Sequence, residues 1–263
     1  VKALETARDH FSDHQLKQAR AFTDLARARH NRALSHLSAG NTAEAAVLFA
    51  ASEADLSKAL DLTEPHCQGE HAAVSWVRQK IEALVWTSWL KLESDPGAHV
   101  KTPLPMAKAA WELSEKLVRR TKNFRKSDRI EVLLVRGHSL LVSRQFDDAA
   151  LLFREAQELA DGLQENPKLR FHAYLALAQL EQARDNVEAA TDLFERAISL
   201  GDETHQVGNY LRAKAHELRE WLEQREAETR VFILRPEDLA GIQASGQNLA
   251  AIDVVTQRVR KWA

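Results

Sequence analysis

Three segments of the chain share one spacing of small and aromatic residues. In each, a Phe follows a small residue by four positions, and a second small residue follows the Phe by three. The segments contain Ala45, Phe49 and Ser52; Ala149, Phe153 and Ala156; and Ala190, Phe194 and Ala197, with a poorer match at Ala107, Trp111 and Ser114. On a helix such positions share one face, where small residues let a second helix approach and the Phe fills the gap. The spacing therefore predicts paired helices with a repeated contact.

The composition favours helices joined by short loops. The 263 residues include only nine Gly and six Pro, and Ala, Leu, Glu, Arg and Gln dominate. Apolar residues recur at intervals of three and four, and the 44% hydrophobic content is enough for a packed core. The sequence therefore predicts an all-α protein. The predicted helices are at about 3–11, 13–39, 43–62, 70–93, 103–121, 127–143, 147–162, 167–184, 187–200, 205–229, 236–244 and 248–262.

The only strand-like piece is 231–234, which ends before Pro236. No linker is long or polar enough to separate other domains. We therefore expect one helical array over residues 1–235 and a C-terminal helical appendage over residues 236–263.

The repeated segments resemble tetratricopeptide repeats. The best matches are FDDAALLFREAQEL (146–159) and VEAATDLFERAISL (187–200), and NTAEAAVLFAAS (41–52) is weaker. The helix before each of the two best matches supplies the small and large positions of a first repeat helix, at Gly137 with Leu140 and at Tyr174 with Ala178. The first small residue of the spacing is Ala107, Ala149 or Ala190 in the last three segments, and these alanines are 42 and 41 residues apart. This step is longer than the usual repeat of about 34 residues. This longer step resembles the extended repeats of MalT- and LuxR-type regulators and of STAND ATPase sensor domains. The resemblance covers residues 26–200 and is clearest over 130–200.

The resemblance implies a right-handed solenoid of antiparallel helix hairpins with a C-terminal helical cap. Its concave groove would be lined by the first helix of each hairpin, and such an array has no built-in active site. The residues at the family's groove positions that we expect to contact a partner are His30, Leu34, Leu134, His138, Leu141, His172, Leu175, Gln179 and Gln182. The Lys, Asn and Arg clamp of chaperone-binding members is missing. The resemblance thus implies a non-enzymatic protein-interaction or sensor scaffold that binds a peptide or helix through apolar contacts, as part of a larger regulatory protein or assembly.

Two other interpretations of these groove residues stay open. The side chains of Leu134, Leu141 and Val142 could face the next repeat and be excluded from solvent. The histidines His138 and His172 could be surface or core residues rather than ligands.

No motif for catalysis is recognisable. The chain has no Gly-rich phosphate loop and no G-x-S-x-G elbow, so we expect no enzyme and no cofactor. The one reactive cluster is 64–71, where His66, Cys67 and His71 could form a three-ligand metal site or an activated thiol. We interpret this cluster as a polar loop between helices and expect no metal.

A local basic patch gives the alternative function. The overall charge is −2, yet cations crowd one helix end and the next helix start. They are Lys116, Arg119, Arg120, Lys122, Arg125 and Lys126. Such a patch can bind nucleic acid or a phosphate ligand, but cations also favour a helix C-terminus because of the macrodipole, so a solvated charge run is the competing interpretation.

The remaining features concern the tryptophans and the compartment. Trp76, Trp86 and Trp89 fall near one helix face, which predicts packing between helices rather than an interface. A single Cys rules out an internal disulfide, and no apolar stretch reaches the roughly 18 residues of a membrane span. The charged first residues do not resemble a signal peptide. We expect a cytoplasmic domain from a longer chain.

Overall fold

The computed structural model describes residues 2–69, 72–94, 104–121, 124–163, 165–202 and 220. Within these ranges the protein is all-helical and has no strand, as predicted. The chain divides into two compact units, residues 1–216 and 217–263. Apart from the helical Glu220, the second unit lies outside the described residues. The predicted helices after 205, the strand-like piece at 231–234 and the boundary at 235/236 therefore stay predictions.

Eight α-helices make up the described part of the first unit. They are α1 (Lys2–Ser38), α2 (Thr42–Thr63), α3 (Val74–Ser94), α4 (Pro105–Arg120), α5 (Lys126–Val142), α6 (Phe146–Asp161), α7 (Pro167–Ala183) and α8 (Val187–Asp202), with one 3₁₀ turn at Glu64–His66. The prediction of two helices at 3–11 and 13–39 is wrong, because α1 runs through Ser12 and Asp13. Neither residue breaks a helix as Gly or Pro does. The third helix starts at Val74, four residues later than expected.

Helices that follow one another in sequence pack together, which gives the hairpins α1–α2, α3–α4, α5–α6 and α7–α8. The odd-numbered helices also contact one another in order, α1 with α3, α3 with α5 and α5 with α7. They form one layer, whose outer side we call the odd-helix face. None of the helices within the described ranges combines the length and apolarity needed to cross a bilayer.

The small and aromatic residues of the repeated spacing form the hairpin interiors. Phe153 is fully buried, and a Cβ added to Gly137 of α5 would lie only 2.3 Å from its ring. The glycine is therefore required for the ring to reach the α5 backbone. Phe194 and Phe49 are buried in the corresponding places on α8 and α2. Ser52 replaces the usual alanine and donates a hydrogen bond from its hydroxyl to the carbonyl of Ala26, at 2.9 Å.

The same tight turn closes three of the hairpins. Its left-handed residue is Gly40 (φ 78°), Arg144 (φ 59°) or Asp185 (φ 60°). In each turn the amide of the next residue donates to the carbonyl five residues earlier, at 2.8–2.9 Å. This is the hydrogen bond of a Schellman motif. The first, third and fourth hairpins thus turn in the same way, although only the first has the glycine that this backbone favours.

The tryptophans of α3 pack between helices, as predicted. Trp76 is buried, whereas Trp86 and Trp89 are half-buried against the apolar clusters that join α1 to α3 and α3 to α5. Trp111 of α4 packs against the same α3–α5 cluster.

Candidate functional site

A cavity of about 460 Å³ opens on the odd-helix face. It lies between α1, the first half of α3 and the start of α5. Four arginines and four carboxylates contribute to its lining, and we call it the charged cavity. These residues are Arg20, Arg27, Arg78, Arg125, Asp24, Glu82, Asp128 and Glu131, and Ser75, Gln79, Ile81, Val85 and Phe124 complete the lining.

Helical periodicity brings the lining residues together. Arg78, Glu82 and Val85 are spaced by four and three positions, so they share one face of α3. Gln79 is buried next to them and donates from Nε2 to the hydroxyl of Thr23 at 3.0 Å. This buried hydrogen bond holds α3 against α1 beside the cavity. The cavity is therefore formed mainly by packed helices, and the residues just before α5 add Phe124 and Arg125.

Two ion pairs neutralise half of the charges. Arg78 Nη2 lies 2.8 Å from Asp128 Oδ2 and joins α3 to α5. On α1, Arg27 Nη2 lies 2.8 Å from Asp24 Oδ1. Arg78 and Arg27 are thus already paired within the protein.

Glu82 and Glu131 make no hydrogen bond and no ion pair with any described residue. Burial raises the pKa of Glu131 to about 7, and the negative charges of Asp128 and Glu82 act in the same direction. Burial also raises the pKa of Glu82. Arg27 and Arg20 oppose the rise in the pKa of Glu82, and the charge of Glu82 disfavours the ionisation of Glu131 across the cavity. Such displaced pKa values occur often at functional sites.

The sequence-predicted groove leucines lie in different environments. Leu134 and Leu175 are only 2% and 4% exposed, and Leu134 packs in the cluster formed by α5, α6 and α7. Both leucines therefore pack between helices. For Leu134 this agrees with the interpretation that its side chain faces the next repeat. Leu34 and Leu141 are half-buried, as are Gln179 and Gln182.

The predicted groove histidines lie among aromatic rings. His30 is 4% exposed, and its ring contacts those of Phe49 and Trp86. His138 lies between Trp89 and Phe153, with ring centroids 5.1 and 5.0 Å away. Burial lowers the pKa of His30, although Glu93 opposes the effect.

His172 of α7 is the most strongly perturbed histidine among the described residues. Burial, helped by Lys168, lowers the pKa of its imidazole to about 4. Its Nε2 is buried and has no hydrogen-bond partner. The imidazole is therefore neutral at pH 7 and does not offer a positive charge to a ligand.

The basic patch is open to solvent over most of its length. Lys116, Arg119, Arg120, Arg125 and Lys126 are exposed, whereas Lys122 lies outside the described residues. Arg120 also donates to the carbonyl of Ala72 at 3.0 Å. The half-buried Phe124 packs against an apolar cluster, which leaves little of its ring for stacking on a base. Nucleic-acid binding through this patch stays a prediction.

The 64–71 cluster has structural partners. The ring of His66 stacks on that of Trp76, with centroids 3.9 Å apart, and lies 3.0 Å from the amide oxygen of Gln15. Burial raises the pKa of Cys67 to about 11, so its thiol is not activated. His71 lies outside the described residues, and the part of the chain that the structure describes holds no group of three His, Cys, Asp or Glu suited to a metal ion.

The comparisons with known proteins identify no relative of this chain. No protein-family model matches the chain, and neither a curated protein nor a solved structure shows significant similarity to it. The fold and the site therefore define only a class, that of an all-helical protein of packed hairpins with a charged cavity on one helical layer.

Proposed function

We propose that the chain is a helical-repeat scaffold, similar to tetratricopeptide arrays, that binds a segment of a partner protein on its odd-helix face. Four consecutive hairpins, a layer of first helices and a thrice-repeated turn support the repeat architecture. Arrays of this kind present extended surfaces for binding. In this proposal the chain is not an enzyme, and it acts within a larger regulatory protein or assembly.

The charged cavity is the observation on which the binding proposal rests. It opens on the layer that lines the groove in tetratricopeptide arrays, and its volume of about 460 Å³ lies within the range of roughly 300–1,000 Å³ typical of ligand pockets. Since Leu134 and Leu175 are buried, the proposed contact set is the cavity lining, together with Leu34, His138 and Leu141, which are half-buried elsewhere on the odd helices.

Peptide display on the full chain tests this proposal. A library of random peptides is selected against the immobilised protein, and the enriched sequences are synthesised and measured by fluorescence anisotropy. Ser75→Tyr places a bulky ring at the cavity, so we expect it to weaken the selected peptides about tenfold or more. Ser57→Tyr makes the same change at an exposed position of α2 and should leave binding unchanged.

Two results would contradict the proposal. The first is that no peptide is enriched over an unrelated helical protein. The second is that Ser75→Tyr and Ser57→Tyr weaken the enriched peptides equally, which would move the interface away from the odd-helix face. Circular dichroism of both variants excludes unfolding as the cause.

A further inference from the structure

The charges of the cavity do not balance by pairing. Asp24 and Asp128 hold Arg27 and Arg78 in ion pairs. The two glutamates, Glu82 and Glu131, are left without a partner among the described residues. The other two arginines of the lining, Arg20 and Arg125, form no ion pair with a described residue, but they are exposed to solvent. The half-buried charges without a partner are therefore both anionic.

An unpaired carboxylate that has lost part of its hydration is unfavourable, and a cation brought close to it relieves this penalty. Neither Glu82 nor Glu131 bonds to another helix, so the described packing gives no structural reason for a charge at these positions. An anionic ligand would add a third negative charge beside them. Because the exposed Arg20 and Arg125 keep their hydration whereas the two half-buried glutamates have lost part of theirs, the cavity favours a cationic occupant.

We propose that the charged cavity receives an arginine or lysine side chain of a bound peptide, with Glu82 and Glu131 as the carboxylates that pair with it. This inference rests on the proposed function and adds the chemistry of the partner. Arginine suits two carboxylates best, because its planar guanidinium offers five donors in a fixed fork. Arg27 and Arg78, which pair with Asp24 and Asp128, form part of the walls.

The recognition should depend on pH. The charged groups facing Glu131 are Asp128 on its own helix, Glu82 on α3, Arg27 on α1 and Lys168 on α7. Glu115 of α4 and Glu155 of α6 pair with Arg129 instead, at 2.7 and 2.6 Å. Since Glu131 titrates at about 7, its ionised form predominates at pH 8 and is the minor form at pH 6. A cation should therefore bind more weakly at the lower pH.

Nuclear magnetic resonance on the full chain tests the inference with small probes. N-acetyl-arginine amide is titrated at pH 8 against N-acetyl-citrulline amide, which has nearly the same shape and no charge. We expect the arginine probe to shift resonances of α1, α3 and α5, and the citrulline probe to bind about tenfold more weakly or worse. Binding of the arginine probe should weaken about tenfold from pH 8 to pH 6, following the ionised fraction of Glu131.

Variants locate the cation. The double variant Glu82→Gln with Glu131→Gln should lower the affinity for the arginine probe about tenfold or more. Glu158→Gln removes an exposed carboxylate of α6 that makes no ion pair with a described residue, and it should change nothing. The glutamines remove unfavourable charges, so these variants should fold at least as well as the parent. Should they fail to fold, the comparison of arginine with citrulline in the parent still decides the inference.

Equal binding of citrulline and arginine would overturn the inference, and so would unchanged binding in the double variant. Tighter binding of N-acetyl-phosphoserine amide than of the arginine probe would show that the cavity prefers anions. The display experiment separates this inference from the function on which it rests. Enriched peptides that bind on the odd-helix face but contain no arginine or lysine would support the function and refute the cationic anchor.

Discussion

Replacing Glu131 by glutamine should stabilise the protein, and the gain should grow with pH. Glutamine keeps the shape of the protonated glutamic acid and cannot ionise. The pKa of Glu131 rises from 4.5 to about 7 on folding, and each pKa unit corresponds to about 1.4 kcal/mol. At high pH, where the carboxylate is charged in both states, its burial therefore lowers the free energy of unfolding by up to about 3 kcal/mol.

The direction follows from proton binding. Between pH 4.5 and about 7 the folded state holds a proton on Glu131 that the unfolded state has released. A rise in pH through this window therefore weakens the parent relative to the variant. We expect Glu131→Gln to gain up to about 3 kcal/mol at pH 8, and about 1 kcal/mol or less at pH 5.

Urea unfolding followed by far-ultraviolet circular dichroism at the two pH values measures this difference. Glu158→Gln, which changes an exposed carboxylate, should stay within about 0.5 kcal/mol of the parent at both. A gain for Glu131→Gln that is equal at pH 5 and pH 8 would refute the electrostatic reasoning. A loss of stability at pH 8 would show that Glu131 has a favourable partner.

Three further predictions concern packing, a turn and the buried histidine. Gly137→Ala should lower the free energy of unfolding measured in urea, because the added Cβ would lie 2.3 Å from the Phe153 ring. The resulting overpacking costs about 1–3 kcal/mol, which is more than alanine gains in helix propensity. A higher free energy of unfolding would contradict the observed contact. Arg144→Gly should raise the free energy of unfolding by roughly 0.5–1 kcal/mol, because glycine adopts φ 59° without strain. Arg144→Val should lower the free energy of unfolding, because a β-branched residue is strained at this φ. His172→Gln should lose less stability than the parent as the pH falls from 6.5 to about 4, because over this range the unfolded parent takes up a proton that the folded parent excludes. Parallel pH profiles for the two proteins would show that His172 is protonated in the fold.

The hairpins could be predicted because their signals are local. A small residue, a Phe four positions later and a second small residue lie within two helical turns, and the contact they imply was found at Phe153 and Phe194. The break expected near Ser12 was wrong because polar residues lower helix propensity only slightly. The turn at Arg144 gave no sequence signal, since arginine does not usually mark a left-handed backbone, whereas Asp185 is of a residue type that is enriched there.

The burial of the groove leucines could not be deduced from repeat positions. Those positions assume a fixed geometry between hairpins, whereas the packing of Leu134 depends on how α6 and α7 lie against α5. Its neighbours Ile130, Val132 and Leu133 are all buried as well. An apolar run of this kind shows that α5 is covered on several sides, and it does not show which side stays open.

The charged cavity was missed for a different reason. Most of its residues come from three helices, and the distance in sequence from Arg20 to Glu131 hides their proximity. One local signal was available, because Glu131 stands between Ile130 and Val132 in an otherwise apolar stretch. An apolar stretch of this kind indicates a helix that is covered on most sides, so partial burial of its one carboxylate could be expected. The second unpaired carboxylate, Glu82, could be recognised only once α3 and α5 were in contact.

The cavity links binding to stability with opposite signs. Burial disfavours the ionised forms of Glu82 and Glu131 when the cavity is empty, and the same unpaired charges are what a cation would find there. The substitution of Glu131 by glutamine therefore separates two explanations of this residue. If Glu131 served the fold, its loss would lower both stability and binding. If it serves recognition, the variant should be harder to unfold and should bind the arginine probe more weakly, a combination that a purely structural role does not produce.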